Sequence, residues 1–278
     1  MNLSFSTRGW PELSWDEMLE LAVDMGFSGV EVYNLPKFDP LTDRSGPFHK
    51  YQTAATVRQL HEKKLKIPCF DTSYDLSDGS ECVAWLQGLM EVAHNTRVSY
   101  VAACALSENE EQVRRNLQAL LPVAKRLDVT LLIKTSGIYA DTARLRRLLD
   151  DCCCDELAVL WDVHHPYRDF GESGDTTIKN LGDYVRHVHL RDSDDAGNYN
   201  LIGEGTMPIA DIMQALSSVN YNGFISLEWK PQWLEELQDR EVIFPYFVNY
   251  MNRFENPRGK KKSLYFNHDG TGQYVWKK

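Results

Sequence analysis

Short apolar runs alternate along the chain with longer amphipathic stretches, at intervals of about 20 to 40 residues. Eight of the runs are rich in apolar and β-branched residues, which is typical of buried strands. They cover residues 3–7, 29–33, 66–71, 98–103, 129–134, 157–162, 187–192 and 224–229. Because strands that alternate with helices form parallel sheets, the pattern predicts an α/β protein.

The stretches between these runs carry helix-start signals. Ser14 with Glu17, and Ser107 with Glu110, have the S-x-x-E spacing of a capping box, in which each side chain caps the other residue's backbone. Two further N-caps are predicted at Asp141 and Asp175. The amphipathic stretches are therefore predicted to be helices, each between two strands.

Eight strands, each followed by a helix, predict a single (β/α)₈ TIM barrel over residues 1–254, with a last helix from about Trp233 to Phe254. A doubly wound open sheet is the alternative, but no G-x-G-x-x-G follows the first strand. Residues 255–278 are rich in Gly, Lys, Asn and aromatic residues without periodicity. They are predicted to be a C-terminal tail or linker, which straps across the barrel or leads to a further domain.

Composition narrows the possible partners. The formal net charge of −10 would repel nucleic acid and anionic lipid, so a small polar ligand is expected and no nucleic acid or membrane partner. No apolar run reaches the length of a membrane span, and the first residues lack the features of a signal peptide, so we expect a cytoplasmic protein. The six cysteines form no C-x-x-C pair, which argues against a zinc knuckle or a disulfide framework.

Polar residues end four consecutive predicted strands. Strand alternation directs Lys134, Asp162, His189 and Glu228 inward, and the C-terminal strand ends of a TIM barrel form the active site. Carboxylate, imidazole and carboxylate are suitable ligands for Mn²⁺, Mg²⁺, Zn²⁺ or Co²⁺. The alternative is that each is a polar core residue with a local partner. His165, on the loop after the sixth strand, is a candidate substrate hydrogen-bond donor.

Other polar residues lie near the same predicted mouth, at strand ends or on the loops that follow them. As candidate substrate contacts they would bind hydroxyl groups or a carboxylate of the substrate. The alternative is that they are polar residues of the barrel rim with no role in binding. They are Glu31, Asp71, Glu204 and Lys230.

Four motifs, in this order, resemble the sugar phosphate isomerase/epimerase family of xylose isomerase-like barrels. They are D-V-H-H-P (162–166), H-V-H-L-R-D (187–192), L-I-G-E-G-T-M-P (201–208) and F-I-S-L-E-W (224–229). The resemblance implies one divalent metal, held by a glutamate, an aspartate, a histidine and a glutamate that end strands 5, 6, 7 and 8. It also implies that the two glutamates exchange protons with carbons beside a carbonyl, and that a histidine contacts the substrate.

Asp162, His189 and Glu228 match the last three metal positions of that family, and His165 matches the substrate-contacting histidine. Lys134 stands where the family has its first glutamate. A lysine there suggests that no metal is bound, and that an ammonium held by Asp162 and Glu228 replaces it, since two carboxylates lessen the cost of burying a cation.

Two functions follow from this replacement. In the first, the protein is a sugar or polyol isomerase/epimerase in which Glu228 and Lys134 are catalytic and move a proton α to a carbonyl. In the second, it is a sugar-like ligand-binding domain of a larger assembly that has lost the metal and the reaction. An apurinic endonuclease of related barrel type is disfavoured by the acidic charge, and a serine hydrolase by the lack of a G-x-S-x-G elbow.

Overall fold

The structure, a computed structural model, describes residues 1–34, 45–230, 233 and 239–255. Eight of the strands in this part of the chain are parallel and close into a barrel. They are β1 (Asn2–Ser6), β2 (Gly29–Tyr33), β3 (Phe70–Asp75), β4 (Tyr100–Cys104), β5 (Thr130–Lys134), β6 (Leu157–Asp162), β7 (Val185–Leu190) and β10 (Phe224–Leu227). The order around the barrel is β1-β10-β7-β6-β5-β4-β3-β2, so the predicted TIM barrel is confirmed.

Helices follow the strands and cover the outside of the barrel. They are α1 (Trp15–Asp24), α2 (Thr53–Lys63), α3 (Glu81–Thr96), α4 (Glu110–Leu127), α5 (Thr142–Cys152), α6 (His164–Phe170), α7 (Gly174–Leu181), α8 (Ile209–Ser218) and α9 (Arg240–Glu255). Two short antiparallel strands after β7, β8 (Asp192–Ser193) and β9 (Tyr199–Asn200), form a separate sheet. Among the described helices, none has the length and apolar character needed to cross a membrane.

The predicted element ends are correct in part. Ser14 and Glu17 form the capping box of α1, and Asp141 caps α5 by accepting a hydrogen bond from the Arg144 backbone. Two predicted caps are wrong. The N-caps of α4 and α7 are Asn109 and Ser173, each of which accepts a hydrogen bond from a backbone N–H in the first turn of its helix.

The third strand begins later than predicted, at Phe70 rather than residue 66. Pro68 has no N–H to donate to the sheet, so the apolar run before Phe70 enters the barrel as irregular chain. The last helix begins at Arg240 rather than near Trp233. Of the predicted tail, only Glu255 lies within the described residues, where it ends α9.

Alternation along the strands separates two packing regions, as predicted. Leu131 and Ile133 of β5 face outward and pack in the main core between sheet and helices. Leu132 and Leu160 face inward, in a small apolar cluster inside the barrel with Cys69, Ala102 and Ala158. This cluster fills the interior on one side of a layer of polar residues, and those polar residues form the candidate site.

Candidate functional site at the barrel mouth

The C-terminal strand ends bring together the residues that the sequence singled out. Asp162 ends β6 and pairs in register with His189 of β7, which pairs in turn with Ser226 of β10. Glu228 directly follows β10. One ligand atom each from Asp162, His189 and Glu228 lie within 4.8 Å of one another, and all three side chains are buried. The predicted convergence of these three residues is therefore present in the structure.

Lys134 ends β5 at the same mouth, but its partners differ from the predicted ones. Its Nζ lies 2.7 Å from Asp71 Oδ1 and donates to the Thr72 carbonyl, also at 2.7 Å. Burial alone would lower the pKa of Lys134, but the Asp71 carboxylate, together with Cys104 and Tyr33, outweighs burial and raises it. The prediction that Asp162 and Glu228 hold this ammonium is wrong, because β3 places a buried carboxylate closer to it.

The cation between Asp162 and Glu228 is instead Arg191, which is 5% exposed. Its Nη2 donates to Asp162 Oδ2 at 2.8 Å, and its Nη1 is ion-paired with Glu228 Oε2. Burial would raise the pKa of Asp162, but the Arg191 guanidinium, together with the neighbouring histidines, outweighs it and lowers the pKa. One guanidinium therefore bridges the two carboxylates.

A second guanidinium reaches the other oxygen of Glu228. Arg8, in the turn after β1, donates from Nη1 to Glu228 Oε1 at 2.6 Å and lies over the Tyr33 ring, 4.6 Å from its centroid. Both oxygens of Glu228 are thus paired with arginines. Two guanidinium cations and two carboxylates cancel in formal charge, so this group is neutral without a further ion.

Arg8 and Arg191 were not among the residues predicted from the sequence, although a signal for both was present. In the H-V-H-L-R-D run, Arg191 follows His187 and His189 at a spacing of two residues. The alternation that directs the two histidines inward therefore directs Arg191 inward as well. Arg8 likewise follows Ser4 and Ser6 at spacing two. Both arginines lie just beyond a strand end, where a long basic side chain is typical of an exposed loop.

Glu31 lies deeper in the barrel than expected of a substrate contact. It is fully buried, with its Oε2 2.5 Å from His187 Nε2 and 2.8 Å from His189 Nε2. Burial would raise the pKa of Glu31, but the two histidines outweigh it and hold the pKa well below its usual value. Burial lowers the pKa of His187, whereas Glu31 outweighs burial at His189 and raises its pKa. Glu31 therefore orients both imidazoles.

The remaining predicted contacts lie at the rim. His165 is partly exposed, 3.7 Å from Asp162 Oδ2 through Nε2 and 2.9 Å from Asp169 Oδ2 through Nδ1. Glu204 accepts a hydrogen bond from Tyr246 of α9, which raises the pKa of Tyr246 to about 12. Of these two residues, His165 is the one that contacts the buried site.

Lys230 is half-buried beyond β10, over the Trp233 ring at 5.2 Å from the centroid. Burial, and then the nearby Arg8 and Arg191, lower the pKa of Lys230 to about 8. Trp233 stacks on Tyr199 with ring centroids 3.9 Å apart. The mouth therefore combines an aromatic wall with a half-buried amine.

Comparison with known proteins agrees with this architecture. The sequence model of the xylose isomerase-like TIM barrel family matches residues 19–243. The chain belongs to this family. Hydroxypyruvate isomerase of Escherichia coli (strain K12) is 25% identical over 128 residues, which are 44% of this chain and 48% of that protein. Fructoselysine 3-epimerase of Escherichia coli O157:H7 is 37% identical over 131 residues, 45% of this chain and 47% of that protein.

These alignments span about half the length of the curated relatives. Among solved structures, the IolI protein with a bound zinc atom superposes with a TM-score of 0.74 at 15% identity, covering 91% of this chain and 99% of that chain. Such low identity supports the fold alone. Family match, relatives and fold together place this xylose isomerase-like barrel among sugar isomerase/epimerase-like proteins.

The family suggests a divalent metal, and the described residues can be tested for one. Asp162, His189 and Glu228 are a suitable donor set by type and distance. Their charges argue against it, because Arg191 already bridges both carboxylates and Lys134 stands at the fourth position. At an effective dielectric of about 20, a divalent cation about 4 Å from a guanidinium is repelled by roughly 8 kcal/mol. In this arrangement the residues do not fit a metal ion.

Proposed function

We propose that this xylose isomerase-like barrel binds a small, polyhydroxylated, sugar-like ligand at its mouth without the paired-glutamate proton transfer that the sequence resemblance implies. The observation that carries the proposal is the buried ion pair between Lys134 and Asp71 at the end of β5. It puts a paired ammonium where the family reaction would need a carboxylate base.

Proton abstraction from carbon needs a base that is free and unprotonated. The raised pKa of Lys134 keeps this amine protonated at neutral pH. Glu228 has an arginine on each carboxylate oxygen, which occupies both oxygens and restricts its movement. Neither of the two candidate acid/base groups is therefore suited to take a proton from a sugar carbon.

The mouth nevertheless has the groups that bind sugars. The stacked rings of Tyr199 and Trp233 offer a flat apolar surface, and such surfaces pack against the C–H face of a sugar. Arg8, Lys230 and His165 are only partly buried, and would donate hydrogen bonds to hydroxyl oxygens. The relatives named as a fructoselysine epimerase and a hydroxypyruvate isomerase favour a small polar ligand of this kind.

The second candidate function is isomerisation or epimerisation. It is favoured by the position of Glu228 and Lys134 at strand ends of one mouth, as in the family reaction. Glu228 would then take the proton α to a carbonyl and the Lys134 ammonium would polarise the carbonyl oxygen. This requires Glu228 to leave its arginines when the ligand binds.

Isothermal titration and deuterium exchange distinguish the two functions. The purified chain is titrated with D-fructose, D-tagatose, D-gluconate and D-glucuronate, and each mixture is then incubated in D₂O and examined by NMR. Binding without deuterium at the carbon beside the carbonyl supports the ligand-binding function. Exchange at that carbon, lost in Glu228→Gln, supports the epimerase function, and absence of binding to all four probes contradicts the proposal.

Lys230→Gln tests whether the mouth is the binding site. Losing a hydrogen bond from a charged donor costs about 1.5 kcal/mol or more, so we expect affinity to fall by about tenfold or more. The largest loss is expected for the two sugar acids, since the Lys230 ammonium would pair with their carboxylate. The matched control is Lys179→Gln on the exposed side of α7, which removes the same charge and should leave binding unchanged.

A further inference from the structure

We infer that the Arg191 guanidinium occupies the place of the family's divalent cation, so that the site is preassembled around an internal cation and excludes metal ions. This inference concerns the cation of the site and not the ligand itself. It rests on the proposed function only because it takes the barrel mouth as the binding site. Lys134, which the sequence suggested for this role, is paired elsewhere.

The position of Arg191 supports the inference most directly. Its two terminal nitrogens contact Asp162 and Glu228, which are the two carboxylates that the resemblance assigns to the metal. The planar fork of a guanidinium suits two carboxylates at once, which a lysine ammonium would not match in geometry. The same two anions therefore have a fixed cation between them.

The surroundings of Arg191 hold it in this place. Its guanidinium carbon lies over the Trp233 and Tyr199 rings, 5.6 and 5.9 Å from their centroids. With 5% of its surface exposed, the side chain has little freedom to swing out of the site and admit an ion. Packing as well as charge thus opposes its replacement by a metal.

The bridging arrangement uses only the two terminal nitrogens of Arg191. Its Nε is buried and has no hydrogen-bond partner among the residues that the structure describes. A ligand oxygen at the mouth would satisfy this donor, as a metal would bind the same oxygen in a metal-dependent relative. Because a guanidinium stays charged over the whole physiological pH range, this cation needs no supply of metal.

Metal titration of the purified full chain tests the inference. After dialysis against EDTA and removal of the chelator, the protein is titrated with Mn²⁺ and with Zn²⁺ by calorimetry, with no sugar present. We expect no binding tighter than millimolar in the native chain. Arg191→Met, which keeps part of the aliphatic stem but removes the charge, frees Asp162 and one oxygen of Glu228 beside His189, so affinity should rise at least 100-fold.

Three further variants make the result specific. Arg191→Lys keeps the positive charge, so metal binding should stay absent. Arg147→Met removes an exposed arginine of α5 and should also leave it absent. Lys134→Glu with Arg191→Met adds a fourth ligand and should bind metal more tightly still. Circular dichroism confirms that each variant is folded.

Two results would overturn the inference. One is micromolar Mn²⁺ or Zn²⁺ binding by the native chain that Asp162→Asn abolishes, a measurement that needs no variant of Arg191. The other is a folded Arg191→Met variant with no gain in metal affinity. These titrations contain no sugar, so neither result affects the sugar-binding test. A failure of the metal inference can therefore be distinguished from a failure of the proposed function.

Discussion

At the scale of single residues, the barrel interior shows how a buried cation is stabilised. Lys134 is 8% exposed, and a lone ammonium at that depth would lose its proton or unfold the site. Asp71 prevents this with an ion pair of 2.7 Å, and the Thr72 carbonyl accepts a second bond. The pair keeps the Lys134 ammonium charged, and the two buried side chains therefore depend on each other.

Asp71→Asn tests this dependence. Asparagine keeps the size but leaves the Lys134 ammonium without its carboxylate, and breaking a buried pair in this way costs about 3 to 5 kcal/mol. We expect that loss in the free energy of unfolding measured by urea titration. Asp24→Asn, at the exposed end of α1, is the control and should change stability little.

The double variant Asp71→Asn with Lys134→Met separates charge from packing. Methionine removes the unpaired ammonium and fills a similar volume, so the double variant should be more stable than Asp71→Asn alone. A double variant that is less stable than Asp71→Asn alone would show that the two residues do not depend on each other through their ion pair.

At the scale of elements, the turn after β5 sets the direction in which the chain leaves the site. Gly137 begins the short 3₁₀ helix Gly137–Ala140 with φ +58°, a conformation that favours glycine. A Cβ there would lie 2.2 Å from the Ala105 carbonyl oxygen and 2.8 Å from Leu106 Cα. The loops after β4 and β5 can approach this closely only because the residue has no side chain.

Gly137→Ala should therefore destabilise the fold by more than about 3 kcal/mol, because it adds a backbone clash to the cost of the left-handed conformation. Gly79→Ala is a matched control, since Gly79 has φ +59° and open space where a Cβ would lie. It should cost only about 1 kcal/mol. Equal losses for the two variants in thermal unfolding would show that the clash is relieved by a small shift of the loops.

At the scale of the whole molecule, α9 covers the place where the first and last barrel strands meet. Phe244 of α9 packs its ring against Phe5, Trp10 and Phe27, with centroids 4.5, 4.2 and 5.1 Å away. Phe5 belongs to β1, and Arg8 follows three residues later. These contacts hold α9 against β1 and therefore also support the turn that carries Arg8.

Phe244→Ala should cost about 3 to 5 kcal/mol, the usual range for removing a buried aromatic ring. The matched control is Val242→Ala, two residues earlier on α9, where the side chain is 44% exposed and stability should change by less than about 0.5 kcal/mol. Urea unfolding at equilibrium measures both. A loss below about 1 kcal/mol for Phe244→Ala would contradict the role of α9 in packing against β1.

The barrel and the inward face of each strand follow from the amino-acid sequence without further information. Both depend on local periodicity, which repeats every two residues in a strand, so alternation alone assigns Lys134, Asp162, His189 and Glu228 to one mouth. The family motifs added the metal positions by resemblance. The helix caps of α1 and α5 were predicted correctly, whereas those of α4 and α7 lie two residues from the predicted ones, because several cap-type residues stand close together there.

The pairing of the charged groups, in contrast, is a property of the tertiary structure. Lys134 could reach several carboxylates at the mouth, and its choice of Asp71 depends on how β3 and β5 lie around the closed barrel. Arg191 meets Asp162 and Glu228 because three strand ends converge on one guanidinium. Such contacts join residues far apart in the chain through long, flexible side chains, and strand alternation specifies a direction but not a partner.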